Sequence, residues 1–167
     1  MSRADRDREF EEFVAAAWPR LRRAAYLLTH NSHDAEDLVQ GALARSYANW
    51  GRVRRDGAYS YVHRALVNGY IDSIRRRTPV TVERELEPAA PPGDGPLDRS
   101  DQRSELTELL APLSPRERSI VVWRYYLDAS EQDVAHALGV SPGTVKSTAS
   151  RALARLRSVH ATASKES

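Results

Sequence analysis

The stretch from Ser130 to Arg157, SEQDVAHALGVSPGTVKSTASRALARLR, admits few folds, because its capping residues mark where two helices start and where the first stops. Ser130 is a favoured N-cap, and Asp133 follows at the positive end of the first helix. Val134, Ala135 and Leu138 make that helix's apolar stripe. Gly139 falls where a helix ends in a left-handed residue, a conformation glycine adopts without a Cβ clash. Ser141 caps a second helix, and Pro142 takes its first position, where no N–H is required. Val145, Ala149, Ala152, Leu153 and Leu156 recur at helical spacing and are expected to face a core. Lys146, Ser147, Ser150, Arg151 and Arg155 fall mainly on the opposite side. Periodicity alone also fits an ordinary pair of packed helices with a solvated basic face. The order of cap, glycine turn, Ser-Pro cap and basic face is more specific, and points to a helix-turn-helix that binds DNA.

Helical texture runs through the rest of the chain with one interruption. From Thr78 to Asp98 the sequence holds prolines at 79, 88, 91, 92 and 96 and glycines at 93 and 95, a density that forbids a continuous helix. This reads as a flexible linker over 78–100, between a unit at 5–77 and a unit at 101–158. The expected fold is all-α, with two small helical domains. Before the linker, helices are expected over about Asp5–Leu28, Asp34–Trp50 and Ala58–Arg77. Pro19 should kink or split the first, and Ser32 should cap the second. The third should turn Tyr59, Val62, Leu66, Tyr70 and Ile74 inward. After the linker, a helix is expected near Gln102–Leu110. Ser114-Pro115-Arg116-Glu117 is a capping box that opens another. No segment reads as a strand. Only Ser158–Ser167 follow the last expected helix, so no further C-terminal domain is anticipated.

Charge is distributed unevenly. Residues 1–77 hold 14 Arg against 10 acids, a net +4; residues 78–112 hold 3 Arg against 8 acids, a net −5; residues 113–167 hold 8 Lys and Arg against 5 acids, a net +3. Two basic units flanking an acidic connector fit a protein that touches nucleic acid twice, although surface charge varies this much by chance. The chain has no cysteine, which excludes disulfides, zinc ribbons and thiol catalysis. It has no apolar run of membrane-spanning length. Charges fill the N-terminus where a signal peptide would be apolar, so a cytoplasmic location is expected.

Taken together, these segments resemble a group IV, or extracytoplasmic-function, sigma factor of bacterial RNA polymerase, of the sigma-70 family. The segment Asp34-Ala-Glu-Asp-Leu-Val-Gln40 resembles the family's core-binding region 2.2. The segment from Tyr61 to Arg77, YVHRALVNGYIDSIRRR, resembles regions 2.3 and 2.4, and its tyrosine-valine form looks most like the SigE-type subgroup common in actinobacteria. The Pro-rich stretch stands where the family has its connector. Leu113-Ser-Pro-Arg-Glu-Arg118 with the helix-turn-helix resembles region 4. The likeness spans about residues 8–158.

This resemblance implies core polymerase binding through Asp34, Asp37, Leu38 and Gln40. An exposed acidic face there would complement the basic clamp surface that family members dock on, though acids at a helix start also serve the dipole alone. The resemblance further implies −10 contacts from Arg52, Arg54, Arg55, Asn68, Arg75, Arg76 and Arg77. The loop Trp50–Gly57 corresponds to the place where family members capture a flipped base. Its arginines fit a funnel for melted DNA and fit a solvated loop equally well. Contacts to the −35 element would come from Thr144, Lys146, Ser147, Ser150, Arg151 and Arg155. Whether Lys146 and Arg151 reach base edges or phosphates is open; base reading is favoured for Arg151 and phosphate contact for Arg155. The implied partners are RNA polymerase core enzyme, promoter DNA and, as is typical of the broad family, an anti-sigma factor whose identity nothing here encodes. Two positions depart from the family pattern. Gly41 stands where Glu is common, and Thr148 where the recognition helix often has Arg.

Two other classes compete. A LuxR-type helix-turn-helix regulator shares the SPRE…SPGTVK pattern, but often carries an α/β receiver domain that residues 1–77 do not resemble. An enzyme is disfavoured. His30, His33, His63, His136 and His160 are scattered, and no HExxH, P-loop or Gly-x-Ser-x-Gly occurs. His33 beside Asp34 reads as a solvated helix-start pair. No catalytic residue, cofactor or metal site is implied. Limited proteolysis should cut first between about Thr78 and Arg99 and yield two helical fragments; resistance there would mean that this stretch is buried.

Overall fold

The computed structural model describes residues 1–77 and 101–166, so the proposed linker at 78–100 lies outside the described residues. Seven α-helices and no strand occur among them. The N-terminal unit is three helices. The first, α1 (Arg3–Thr29), opens on a capping box in which the Ser2 hydroxyl accepts from the Asp5 amide and the Asp5 carboxylate accepts from the Ser2 amide. Of the kink or split expected at Pro19, the split does not occur: the helix runs unbroken through the proline. Ala15 and Pro19 are both exposed, so the carbonyl that loses its donor faces water. The helix stops at His30, which adopts the left-handed conformation with φ 54°.

Next comes α2 (Ser32–Ala48), whose N-cap is Asn31 and not Ser32. The Asn31 side-chain oxygen accepts from the Asp34 amide at 2.9 Å, a bond available one residue earlier than expected. It ends before Trp50, which opens a short 3₁₀ turn at Trp50–Arg52. The third helix, α3 (Ala58–Arg77), matches its expected bounds. It lies close against α2: a Cβ on Gly69 would come within 2.6 Å of the Arg45 guanidinium and 3.2 Å of the Leu38 side chain. Val62, Leu66 and Tyr70 are buried, but Tyr59 is 47% exposed. Its ring rests on Phe13 at 5.0 Å, at the rim of the bundle, because Phe10, Phe13 and Trp50 already fill the interior there.

In the C-terminal unit, α4 (Asp101–Leu110) precedes α5 (Pro115–Val121), which opens on the expected capping box between Ser114 and Glu117. A π-helical turn continues it over Val122–Tyr126, closed by the Leu127 amide donating to the Val122 carbonyl. Then α6 (Glu131–Leu138) and α7 (Pro142–Lys165) form the helix-turn-helix, with Ser130 and Ser141 as N-caps and Gly139 left-handed at φ 68°. Val145, Ala149, Ala152 and Leu156 are buried, while Leu153 is half-buried. The last helix runs to Lys165, beyond the expected limit at 158.

The two units meet along a seam, with α1 and α3 against α5 and α1 against α4 and the π turn. Arg118 sits in it with no exposed surface. Its guanidinium donates to the carbonyls of Leu110 (3.4 Å), Ala111 (3.5 Å) and Leu113 (3.0 Å) in its own unit and to that of Leu28 (3.2 Å) in the other. Tyr70 of α3 lies close enough to act on its charge. In the reverse direction, Arg20 donates to the Tyr126 carbonyl, pairs with Asp128 at 3.1 Å and lies over the Tyr126 ring.

Two buried histidines line this seam. His30 lies beside Arg118, and His63 beside Arg20 and Asp128; the Nε2 of each has no hydrogen-bond partner among the described residues. Burial, reinforced by the neighbouring arginine, lowers each from the ordinary 6.5 to about 4. Unfolding frees both imidazoles to take up protons between those values, so the unfolded chain binds more protons there and stability rises with pH. The stabilisation is complete above about pH 6.5 and fades as the pH falls towards 4. Urea midpoints should therefore drop between pH 7 and 5, before most carboxylates titrate. A midpoint flat across that range would contradict the burial of these rings.

Candidate nucleic-acid interface

Helix α7 is fixed at its N-terminal turn. The Ser141 hydroxyl accepts from the Thr144 amide at 3.1 Å and lies 2.9 Å from the Thr144 hydroxyl, so Thr144 is partly committed to the cap. Ser147 turns its hydroxyl back to the Thr144 carbonyl at 3.1 Å. Lys146, Ser147, Ser150 and Arg151 are all exposed. Neither Lys146 nor Arg151 has an ion-pair partner among the described residues. Short serines between two unpaired cations let a helix approach a groove closely while long donors reach bases or phosphates. Arg155 differs. Its guanidinium bonds the Glu117 carboxylate at 2.7 Å, which ties α7 to the capping box of α5. That pairing competes with the phosphate contact expected of it.

In the N-terminal unit, an aromatic cluster positions the arginine loop. Trp50 is buried with its ring centroid 5.0 Å from that of Phe10 and 5.1 Å from that of Phe13, so the loop's first turn is anchored on α1. Arg52, Arg54 and Arg55 are exposed. Arg54 lies 3.5 Å from Asp56, and Arg55 pairs with Glu9. At the end of α3, Arg75, Arg76 and Arg77 are exposed, and Asn68 is half-buried on the same helix. Arg77 pairs with Asp34 at 3.3 Å.

That last contact corrects the expected acidic face of α2. Asp34 is half-buried and held by Arg77, and Leu38 is half-buried against α3, so both are committed inward. Asp37 and Gln40 remain exposed, with Asp37 3.4 Å from His33. Sequence reading did not single out Arg118 or Arg20. Arg118 carried a faint signal, since only Ser119 separates it from the apolar run Ile120–Trp123.

Comparison with known proteins agrees with this arrangement. Residues 13–79 match the Sigma-70 region 2 family, and residues 103–156 match the Sigma-70, region 4 family. The chain is 41% identical over 150 residues to the RNA polymerase sigma-E factor of Streptomyces coelicolor, covering 89% of this chain and 84% of that one. It is 33% identical to the extracytoplasmic-function RNA polymerase sigma factor SigM of Mycobacterium tuberculosis, covering 88% and 74%. Among solved structures it resembles the sigma factor RpoE bound to the anti-sigma factor NepR from Bartonella quintana, with TM-score 0.63 and 27% identity over 90% of this chain and 95% of that one. CnrH in complex with the cytosolic domain of CnrY shares the fold, with TM-score 0.65 at 19% identity over 93% of this chain and 90% of that one.

Arg151 and Arg155 of α7 should respond differently to truncation. Arg151→Ala should weaken binding to a cognate −35 duplex by about 1–3 kcal/mol and relax preference at one position. Arg155→Ala should instead lower the thermal stability of the C-terminal unit, with at most about 1 kcal/mol at stake for a pair half open to solvent. Duplex titrations and melting curves of both variants separate the roles. Unchanged −35 preference in Arg151→Ala would remove it from the reading face.

Proposed function

The chain belongs to the sigma-70 family, in its extracytoplasmic-function group, and we propose how its residues divide the work of initiation. It directs RNA polymerase core enzyme to promoters and recognises their −10 and −35 elements. In our reading, residues 5–77 bind core enzyme and the melted −10 strand, and residues 101–158 read the −35 duplex. The exposed face of Lys146, Ser147, Ser150 and Arg151 on a helix capped by Ser141 carries this reading. Its length, charge and short side chains suit a major groove. The arginines at 52, 54, 55, 75 and 76 supply a basic surface for single-stranded backbone. Asp37 and Gln40 form the docking face for core enzyme. Residues 1–77 form α-helices and short 3₁₀ turns with no strand, which disfavours reading them as the α/β receiver of a LuxR-type regulator.

The chain itself catalyses no reaction in this reading; its effect is to position polymerase. It acts where polymerase acts, in the cytoplasm. No helix among the described residues is long and apolar enough to cross a membrane. An anti-sigma factor is a fitting regulator, since the RpoE structure was solved in complex with the anti-sigma factor NepR.

Run-off transcription with core enzyme tests the function directly, and transcripts should require this chain. Replacing Asp37 and Gln40 together with Ala should weaken co-purification with core enzyme without loss of helicity. Gly41→Glu should strengthen it. A Cβ at 41 has room, 3.4 Å from the Arg45 guanidinium. The change removes a helix-interior glycine worth about 1 kcal/mol and adds an i,i+4 pair with Arg45. Unchanged core binding in both variants would remove α2 as the docking surface.

A further inference from the structure

Residues 3–12 of α1 precede the stretch that matches the Sigma-70 region 2 family, 13–79. They nevertheless pack on the arginine loop at Trp50–Gly57 and on the end of α2 that leads into it. The Phe10 ring meets those of Tyr47 at 5.2 Å and Trp50 at 5.0 Å. The Tyr47 hydroxyl donates to the Asp7 carboxylate at 2.5 Å, and the Arg6 guanidinium lies over the Tyr47 ring. Glu9 reaches the loop itself, where its carboxylate pairs with the Arg55 guanidinium.

The pair is lopsided. The Glu9 side chain is 23% exposed and that of Arg55 78%. Glu9 stands on a capped helix beside Phe10, whose ring is packed, so the carboxylate is the fixed partner and the guanidinium the movable one. A phosphate that takes Arg55 must displace a carboxylate that cannot follow, and then sits near that carboxylate's charge. The other cations of the loop differ. Arg54 pairs at 3.5 Å with Asp56, a loop neighbour that is itself largely exposed and can move with it. Arg52 is exposed and has no ion pair among the described residues.

We propose that Glu9 is a positioning residue that occupies Arg55 in place of a phosphate, so that the loop holds single-stranded backbone with one cation fewer than its sequence offers. This rests on the −10 reading of the loop given above. A solvent-facing pair of this kind shifts an equilibrium by at most about fivefold. Glu9 is therefore a brake and not a block. A strand already engaged by Arg52 and Arg75 displaces it, whereas a strand that meets the loop alone gains little from Arg55. Because the brake acts on a backbone contact, it lowers the binding of every sequence alike.

A backbone contact needs no promoter sequence in the probe. A fluorescent oligo(dT) strand of about 20 nucleotides, long enough to cover a single-strand site, is titrated with holoenzyme assembled from core polymerase and the full chain. Salt is varied from about 50 to 200 mM. Glu9→Gln keeps the side chain's shape and removes its charge. It should tighten strand binding by roughly two- to fivefold. It should also steepen the log–log salt dependence by about 0.7, the slope that one added phosphate contact contributes on a single strand. A merely structural role would leave that slope unmoved. Adding Arg55→Ala should cancel the gain. Glu11→Gln removes the same charge from an exposed position on the same helix, with no ion pair among the described residues, and should change little. Weaker or unchanged binding in Glu9→Gln, a gain that survives Arg55→Ala, or an equal gain in Glu11→Gln would overturn the proposal. Arg52→Ala tests the −10 reading separately and should weaken strand binding. If Arg52→Ala weakens it while Glu9→Gln changes nothing, the role of Glu9 alone fails. If neither changes it, the loop does not touch the strand and the −10 reading fails with it.

Discussion

The structure depends on a buried cation that has no carboxylate partner among the described residues. Arg118 is wholly enclosed, and burial pushes its guanidinium below its ordinary value while Tyr70 opposes that shift. An isolated charge there would be ruinous. What makes it tolerable is that its acceptors are carbonyls at or just beyond helix C-termini: Leu28 near the end of α1, Leu110 and Ala111 at the end of α4, and Leu113 in the turn. These groups lack intrahelical donors and carry the negative end of the helix dipole. Two helix ends from different units thus share one planar, five-donor group, a geometry lysine could not supply. Leu28, Leu113, Ile120 and Val122 are fully buried in the same continuous core. The placement of both units follows from that arrangement.

A division among the arginines then becomes clear. Some are spent on structure. Arg155 secures α7 to α5 through Glu117, Arg77 secures α3 to α2 through Asp34, and Arg20 secures the N-terminal unit to the turn at Asp128. Others, notably Arg52, Arg75 and Arg151, face solvent. The basic character of the chain is therefore two populations, and only the second is available to phosphate without breaking a contact. The Asp34–Arg77 pair also links α2, proposed as the docking helix for core enzyme, to the arginine run proposed for the −10 strand.

How much of this was legible in the sequence depends on the range of the interaction. Caps are local: Ser114, Ser130, Gly139, Ser141 and Pro142 each act within four residues, and the structure has each in the position its type indicated. Asn31 and Ser32 show the limit of that logic, since two good caps stood side by side and geometry chose the first. Periodicity placed Val62, Leu66 and Tyr70 correctly but turned Tyr59 inward, because it cannot see that Trp50 and Phe13 already occupy the space. The seam was illegible for a stronger reason. The acceptors of Arg118 and Arg20 are mainly backbone carbonyls, which carry no residue identity, and two of them lie about a hundred residues away in the chain. The same blindness hid the engagement of Arg155, whose partner Glu117 was read only as a capping-box residue.

Small-angle scattering from the free chain at neutral pH tests the central claim most directly, because it reports overall extent without labels or partners. Units held together by Arg118 and Arg20 predict a radius of gyration of about 15–18 Å and a distance distribution with one peak. A radius above roughly 25 Å, with a second peak from two separated bodies, would contradict the pinned arrangement.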